Sequence, residues 1–181
     1  MSSAATGAER PRSTTGLAIR SLLAALWFGL WFFVAIPGLL LWLSGADLLP
    51  RPGVSLWLGI AIIALAHLAL LREVTTFVRV GRGTHAPFEP PRALLCDGPY
   101  AWVRNPMYLL YVAVVLGEAL VFRSLVLVAW AAALWLLAHV YVVCFEEKAL
   151  QRRFGAAYAA YCARVGRWLP RPPRRERVPG G

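Results

Sequence analysis

Cysteine is scarce in this sequence and follows no pattern. Cys96, Cys144 and Cys162 are odd in number and widely spaced. No CxxC pair occurs, and no histidine lies at ligand spacing from a cysteine. That argues against a metal site and a disulfide framework, and leaves the thiols as packing residues. A glycine-rich strand–turn–helix of the Rossmann type is also missing, since "GRG" at residues 81–83 is too short to count. The chain shows no internal repeat. A cleaved signal peptide is not expected: the polar start at residues 1–15 precedes an apolar run too long for a signal core, and no small-residue cleavage site follows it. Acidic residues are few, 9 against 19 Lys plus Arg, for a net charge of +10. No nucleic-acid-binding motif accompanies that basic excess, so nucleic acid is not the expected partner.

What the sequence has in abundance is apolar length. Of its 181 residues 59% are hydrophobic, and the mean hydropathy is +0.59. Four segments account for the excess: Leu22–Leu43, Val54–Leu71, Met107–Phe122 and Leu125–Phe145. Three are long enough to cross a hydrocarbon core of about 30 Å as helices, and Met107–Phe122 is shorter. The expected fold is an all-α integral membrane protein with four transmembrane helices and a cytosolic, interfacial C-terminal helix. Residues 1–16 read as a flexible cytosolic N-terminus, 17–170 as the transmembrane domain, and 171–181 as an extended Pro/Arg-rich tail.

The basic residues are distributed unevenly. Arg10, Arg12 and Arg20 precede the first helix. Arg72, Arg79, Arg82, Arg92 and Arg104 lie between the second and third, and nine more Lys or Arg follow the fourth. Only Arg51 and Arg123 sit in the other two loops. This positive-inside asymmetry places both termini and the long middle loop in the cytosol, against a bacterial inner membrane or an endomembrane. The bilayer is therefore the first expected partner, and the basic face favours anionic headgroups.

Local signals refine the outline. Pro37 should kink the first helix. The second helix should continue through Arg72 and Glu73 toward Val80, where "GRGTHAPFEPPR" ends it. "FRS" at residues 122–124 is so short that the third and fourth helices must form an antiparallel hairpin, with Pro106 in the first turn of the third. Beyond the fourth helix, Leu150, Phe154, Tyr158, Tyr161 and Val165 recur at helical spacing on one face, with a bend expected at Gly155.

The hairpin brings two segments together. "DGPYAWVRNPMYLL", residues 97–110, ends where the third helix begins, and "EEK", residues 146–148, begins where the fourth ends. Ionisable and aromatic side chains therefore converge at one end of the hairpin, at the membrane–cytosol boundary. Each has a plainer explanation. Arg104 can snorkel to lipid phosphates, and Tyr100, Trp102 and Tyr108 fit an interfacial aromatic belt. Glu146 and Glu147 point about 100° apart on a helix, so at most one faces a common site. His67 and His139 are read as hydrogen-bonded packing residues. Glu118, one turn from the outer end of the third helix, is read as reaching water.

"GPYAWVRNPMY" followed by a hairpin and "EEKALQRRFGAAYAAYCARVGRWLP" resembles the isoprenylcysteine carboxyl methyltransferase and phospholipid methyltransferase superfamily over about Arg92 to Pro170. The resemblance implies a transmembrane methyltransferase using S-adenosylmethionine, held at the cytosolic end of the hairpin. By matching position, the cofactor residues would be Arg92, Ala93, Leu94, Leu95, Tyr100, Asn105, Pro106, Met107, Tyr108 and Glu146. Arg104 joins them as the anchor of the motif loop. The implied acceptor is a hydrophobic small molecule or lipid, carrying a carboxylate, amine or thiol. No catalytic residue is assigned, although Glu118, His139 and Tyr141 are available to assist an amine or thiol. Asn105 stands where the pattern has histidine, Leu110 where it has glycine, and Val142 where the carboxyl methyltransferases carry a substrate arginine. Two rival classes are an NADPH-dependent membrane sterol reductase, which shares a similar terminal hairpin, and a non-enzymatic membrane scaffold.

Overall fold

A computed structural model describes residues 19, 22–23, 26–76 and 93–172. Arg92, the N-terminal segment, residues 77–92, where the second helix was expected to continue to Val80, and most of the tail lie outside the described residues. Four helices follow the expected order. Helix α1 covers Leu26–Leu43, α2 Val54–Thr76, α3 Pro106–Phe122 and α4 Leu125–Tyr141. A π-helical turn at Val142–Glu146 joins α4 to α5, Glu147–Arg164. α1, α2 and the continuous α4–α5 rod each contain a stretch long and apolar enough to cross a membrane, whereas α3 is apolar but shorter. Large apolar side chains cover the outer faces: Trp27, Leu65 and Leu137 are all exposed. Only lipid gives such a surface a favourable solvent.

Pro37 acts on α1 as its chemistry requires. It has no N–H to donate, and its ring crowds the preceding turn. The backbone responds with a π turn at Trp31–Ala35, in which the Ile36 N–H bonds to the Trp31 carbonyl. In that register the next carbonyl, Phe32, faces the proline nitrogen and finds no hydrogen there. It accepts instead from the Trp130 indole at 3.3 Å, whose ring stacks on Phe32. The kink thereby becomes a tie between α1 and α4. α1 ends in a Schellman motif: Gly45 takes φ +65°, Gly45 N–H bonds Trp42 O at 3.2 Å, and Ala46 N–H bonds Leu41 O at 3.1 Å.

The α3–α4 turn is as tight as its length demands. Arg123 adopts a left-handed conformation, Ser124 N–H returns to Ala119 O at 3.0 Å, and the Arg123 guanidinium donates to Ser55 Oγ at 2.9 Å. Val114, Val115, Leu127 and Ala131 form the buried centre of the hairpin. α2 and α3 share the most extensive contact in the fold. They approach closely because glycines face each other: a Cβ on Gly59 would lie 2.5 Å from Gly117 O, and one on Gly117 would lie 2.7 Å from Ile63 Cγ1. Small residues of this kind let membrane helices pack backbone to backbone.

Gly155 breaks α5 with φ 52° and ψ −122°, as its position suggested. The apolar face read from the spacing is real, but protein covers it. Tyr158, Tyr161 and Val165 are buried with Leu150 and Phe154 against Leu94 and Cys96.

Gly59→Ala is expected to force α2 and α3 apart and to lower stability by about 1–3 kcal/mol, the usual cost of overpacking. Thermal unfolding of the purified protein in detergent measures this. A melting temperature equal to wild type would mean that the close approach is not tightly packed.

Candidate functional site

The motif loop is shaped by its own first residues. Gly98 has φ +60°, a conformation that favours glycine, and a single 3-10 turn at Gly98–Ala101 follows. The turn points Tyr100 inward, where it is buried. Its phenol hydrogen-bonds Glu73 from α2, and burial, with the Glu73 and Glu146 charges adding to it, pushes its pKa well above the usual tyrosine range. The Tyr100 carbonyl accepts from the Tyr161 hydroxyl at 2.8 Å.

The chain after α5 then clamps the loop. Arg104 N–H bonds Gly166 O and Arg171 N–H bonds Trp102 O, each at 2.9 Å. The Asn105 amide, buried, donates to Arg167 O at 3.1 Å. Asn105 therefore holds the loop against the C-terminal segment, a task that does not need the titratable ring it replaces.

The acidic pair divides as helix geometry predicts. Glu147 lies 3.0 Å from the Arg104 guanidinium and receives two bonds from Arg167, at 2.7 and 2.9 Å. The fork-to-fork contact raises the Arg167 pKa, and burial opposes it only partly. Arg104 also donates to Cys162 Sγ at 2.8 Å, so its guanidinium has protein partners in this fold. These groups line a cavity of about 640 Å³ together with Lys148, Gln151 and Tyr158.

Glu146 faces the other way. Tyr108 donates to its Oε2 at 2.9 Å, and this is its only hydrogen bond among the described residues. Around it stands an aromatic wall. Trp168 packs edge-on to Tyr108 and lies against Trp135 and His139. The Trp168 indole donates to His139 Nδ1 at 2.9 Å. An indole only donates, so the proton of a neutral imidazole sits on Nε2. His67 bonds its own helix at Ile63 O at 2.8 Å.

The remaining candidates are placed as follows. Pro106 is the first residue of α3, and Met107 is buried in a core cluster with Ala66, Leu70 and Val114. Ala93 is exposed, while Leu94 and Leu95 are half-buried beside the loop. Glu118 is half-buried, and its Oε2 has no hydrogen-bond partner among the described residues. Three residues gain importance only in three dimensions. Arg167 and Trp168 lie after the last helix, and only the closing "VGRWLP" hinted at them. Glu73 read as a helix-end charge, and the available signal was an acid one residue from a lipid-soluble stretch.

An all-helical membrane protein whose polar groups gather at one end of a helix hairpin is the class that this fold and site define. The family model for phospholipid methyltransferases matches residues 54–157, more than half of the chain, and the chain belongs to that family. The family lies within the isoprenylcysteine carboxyl methyltransferase-like superfamily and makes the chain a membrane methyltransferase. No curated protein matches the sequence. The matched range includes Glu73, Tyr100, Arg104, Tyr108, Glu146 and Glu147, and ends before Arg167 and Trp168.

Glu147→Gln should remove the common partner of Arg104 and Arg167 and lower stability by about 1–3 kcal/mol, because two partly buried guanidinium groups lose their counter-charge. Chemical denaturation with a loop-specific probe checks it. A stability within 0.5 kcal/mol (roughly the scatter for neutral surface changes) would show that the pair does not hold the loop.

Proposed function

We propose that the protein is an S-adenosylmethionine-dependent methyltransferase that acts at the membrane–cytosol interface on a hydrophobic or lipid-like acceptor. The observation that carries this reading is Glu146, a carboxylate with a single hydrogen bond from Tyr108, set among aromatic rings at the mouth of the hairpin. The residues present fit the cofactor. A carboxylate suits an ammonium or ribose hydroxyls, and aromatic faces suit an adenine ring or a sulfonium. Tyr100, Tyr108, Asn105 and Glu146 would hold it, with Arg104 fixing the loop that carries them.

S-adenosylmethionine supplies an electrophilic methyl group on a positively charged sulfur. The chain's own task is to align the acceptor and exclude water, not to perform extensive proton chemistry. The packed aromatic wall of Tyr108, Trp135 and Trp168 is suited to that exclusion. Val142, the position of the substrate arginine in carboxyl methyltransferases, is buried in the π turn and offers no charge to a carboxylate acceptor.

Calorimetry with S-adenosylmethionine tests the reading. Glu146→Gln should cost about 1.5–3 kcal/mol of binding, roughly ten- to a hundredfold in affinity. Glu147→Gln, provided it remains folded, should change affinity much less. Equal affinity in wild type and Glu146→Gln rejects the assignment of Glu146. Wild type that binds NADPH but not S-adenosylmethionine supports a reductase instead.

The arginine asymmetry supports a cytosolic site. Reporter fusions at Gly53 and Arg123 should then read outside, and fusions after Arg92 and Arg177 inside. A carboxyl terminus that reports outside reverses the orientation.

A further inference from the structure

Glu146 takes its direction from Tyr108, whose phenol donates to Oε2 at 2.9 Å. The terminal torsion of a tyrosine is broad, so neighbours decide where its ring points. Two aromatic rings stand edge-on to Tyr108: Tyr111 at 6.1 Å and Trp168 at 6.3 Å between centroids. Tyr111 shares α3 with Tyr108 and moves with it. Trp168 comes from the segment after α5 and needs a hold of its own.

α4 supplies that hold. The Trp168 indole N–H donates to His139 Nδ1 at 2.9 Å, and the imidazole stacks on Trp135 at 5.5 Å and 28°. Edge-on packing fixes how far apart two rings lie; a hydrogen bond also fixes a direction. His139 precedes Glu146 on the continuous helical rod Leu125–Arg164. His139, Trp168, Tyr108 and Glu146 therefore close a circuit of side chains that starts and ends on that rod. Neither the cavity around Glu147 nor a second one of about 480 Å³, beside Glu73 and Leu68, is lined by any of these four residues. The direction of Glu146 is thus set by contacts within the circuit. Trp168 also lies beyond the residues matched by the family model, 54–157.

We propose that His139 and Trp168 are positioning residues for the candidate cofactor site. The Nδ1 hydrogen bond orients the indole, the indole holds the Tyr108 ring, and the Tyr108 hydroxyl presents Glu146 in one direction. Neither His139 nor Trp168 touches the cofactor in this role. The name of the ligand rests on the S-adenosylmethionine reading; the link from His139 to Tyr108 does not. The chemistry needed at position 139 is an acceptor facing the indole, because an indole can only donate.

The test uses the full chain in phosphatidylcholine nanodiscs, labelled with fluorotyrosine. The Tyr108 fluorine resonance is assigned by its loss in Tyr108→Phe. S-adenosylmethionine affinity and melting temperature are measured for each variant. His139→Leu removes the acceptor. His139→Asn restores one, since the amide oxygen stands about where Nδ1 stood. Trp168→Phe keeps an aromatic ring and loses the N–H. The Tyr108 resonance is expected to shift or broaden in His139→Leu and Trp168→Phe and to return to its wild-type form in His139→Asn. Affinity should fall roughly fivefold in the first two, the net value of one hydrogen bond, and recover in His139→Asn. The His139→Leu, Trp168→Phe double variant should lose no more than either single one, as the two ends of one contact do. A Tyr108 resonance unmoved in both single variants, affinity losses that add, or His139→Asn no better than His139→Leu overturns the proposal. A lower melting temperature with resonance and affinity unchanged also overturns it, because the contact would then serve stability alone. If His139→Leu fails to fold, Trp168→Phe and His139→Asn decide: the first must move the resonance and the second must not. Wild type that binds no S-adenosylmethionine, with the expected resonance changes, leaves the positioning pair standing and removes the methyltransferase reading.

Discussion

One carboxylate joins the parts of the chain that make the site. Glu147, at the first position of α5, is held by Arg104 from the motif loop and by both ends of the Arg167 fork from the segment after α5. These three stretches also meet beside the apolar cluster of Tyr158, Tyr161 and Val165 with Leu94 and Cys96. Two guanidinium groups could not share so small a volume without an anion between them. With the anion in place, the backbone bonds between residues 102–104 and 166–171 close, and the loop takes one shape. The aromatic wall beside Tyr108 and the inward turn of Tyr100 accompany that shape.

Division of labour between adjacent acids follows from the same arrangement. Glu147 is saturated by two arginines and is a structural charge. Glu146, rotated about 100° away on the helix, meets a phenol and aromatic rings. The two look equivalent on paper, and the helix makes them different. The π turn at Val142–Glu146 ends on the first of them. A π turn adds a residue within the helical path and so changes where the following side chains point; such turns recur at functional sites. The other π turn, in α1, has a local cause in Pro37 and a structural result in the Trp130 tie.

The charged groups of the two cavities are also distinct. One cavity is walled by Arg104, Lys148, Arg152 and Arg167 with Glu147 in their midst. The other holds Glu73 among apolar residues and opens beside Leu68. Tyr100 and the motif loop separate them.

The sequence by itself determined the elements. Four apolar runs marked four helices to within a few residues, because apolar length, the short turn at "FRS" and Pro106 set their limits. The bend at Gly155, the disturbance at Pro37 and the juxtaposition of residues 97–110 with the acidic pair were legible for the same local reasons. Tertiary structure decided the partnerships. Arg104 was ambiguous between a lipid phosphate and a protein partner, and only the return of the chain at Arg167 resolved it. The apolar face of α5 was legible, but not that Leu94 and Cys96 cover it, since periodicity marks a face without naming what it meets. Glu73 was the least legible, because burial is a property of the packed neighbours: an acid at the end of a helix lies in water or out of it according to whether Tyr100 and Pro106 are folded over it.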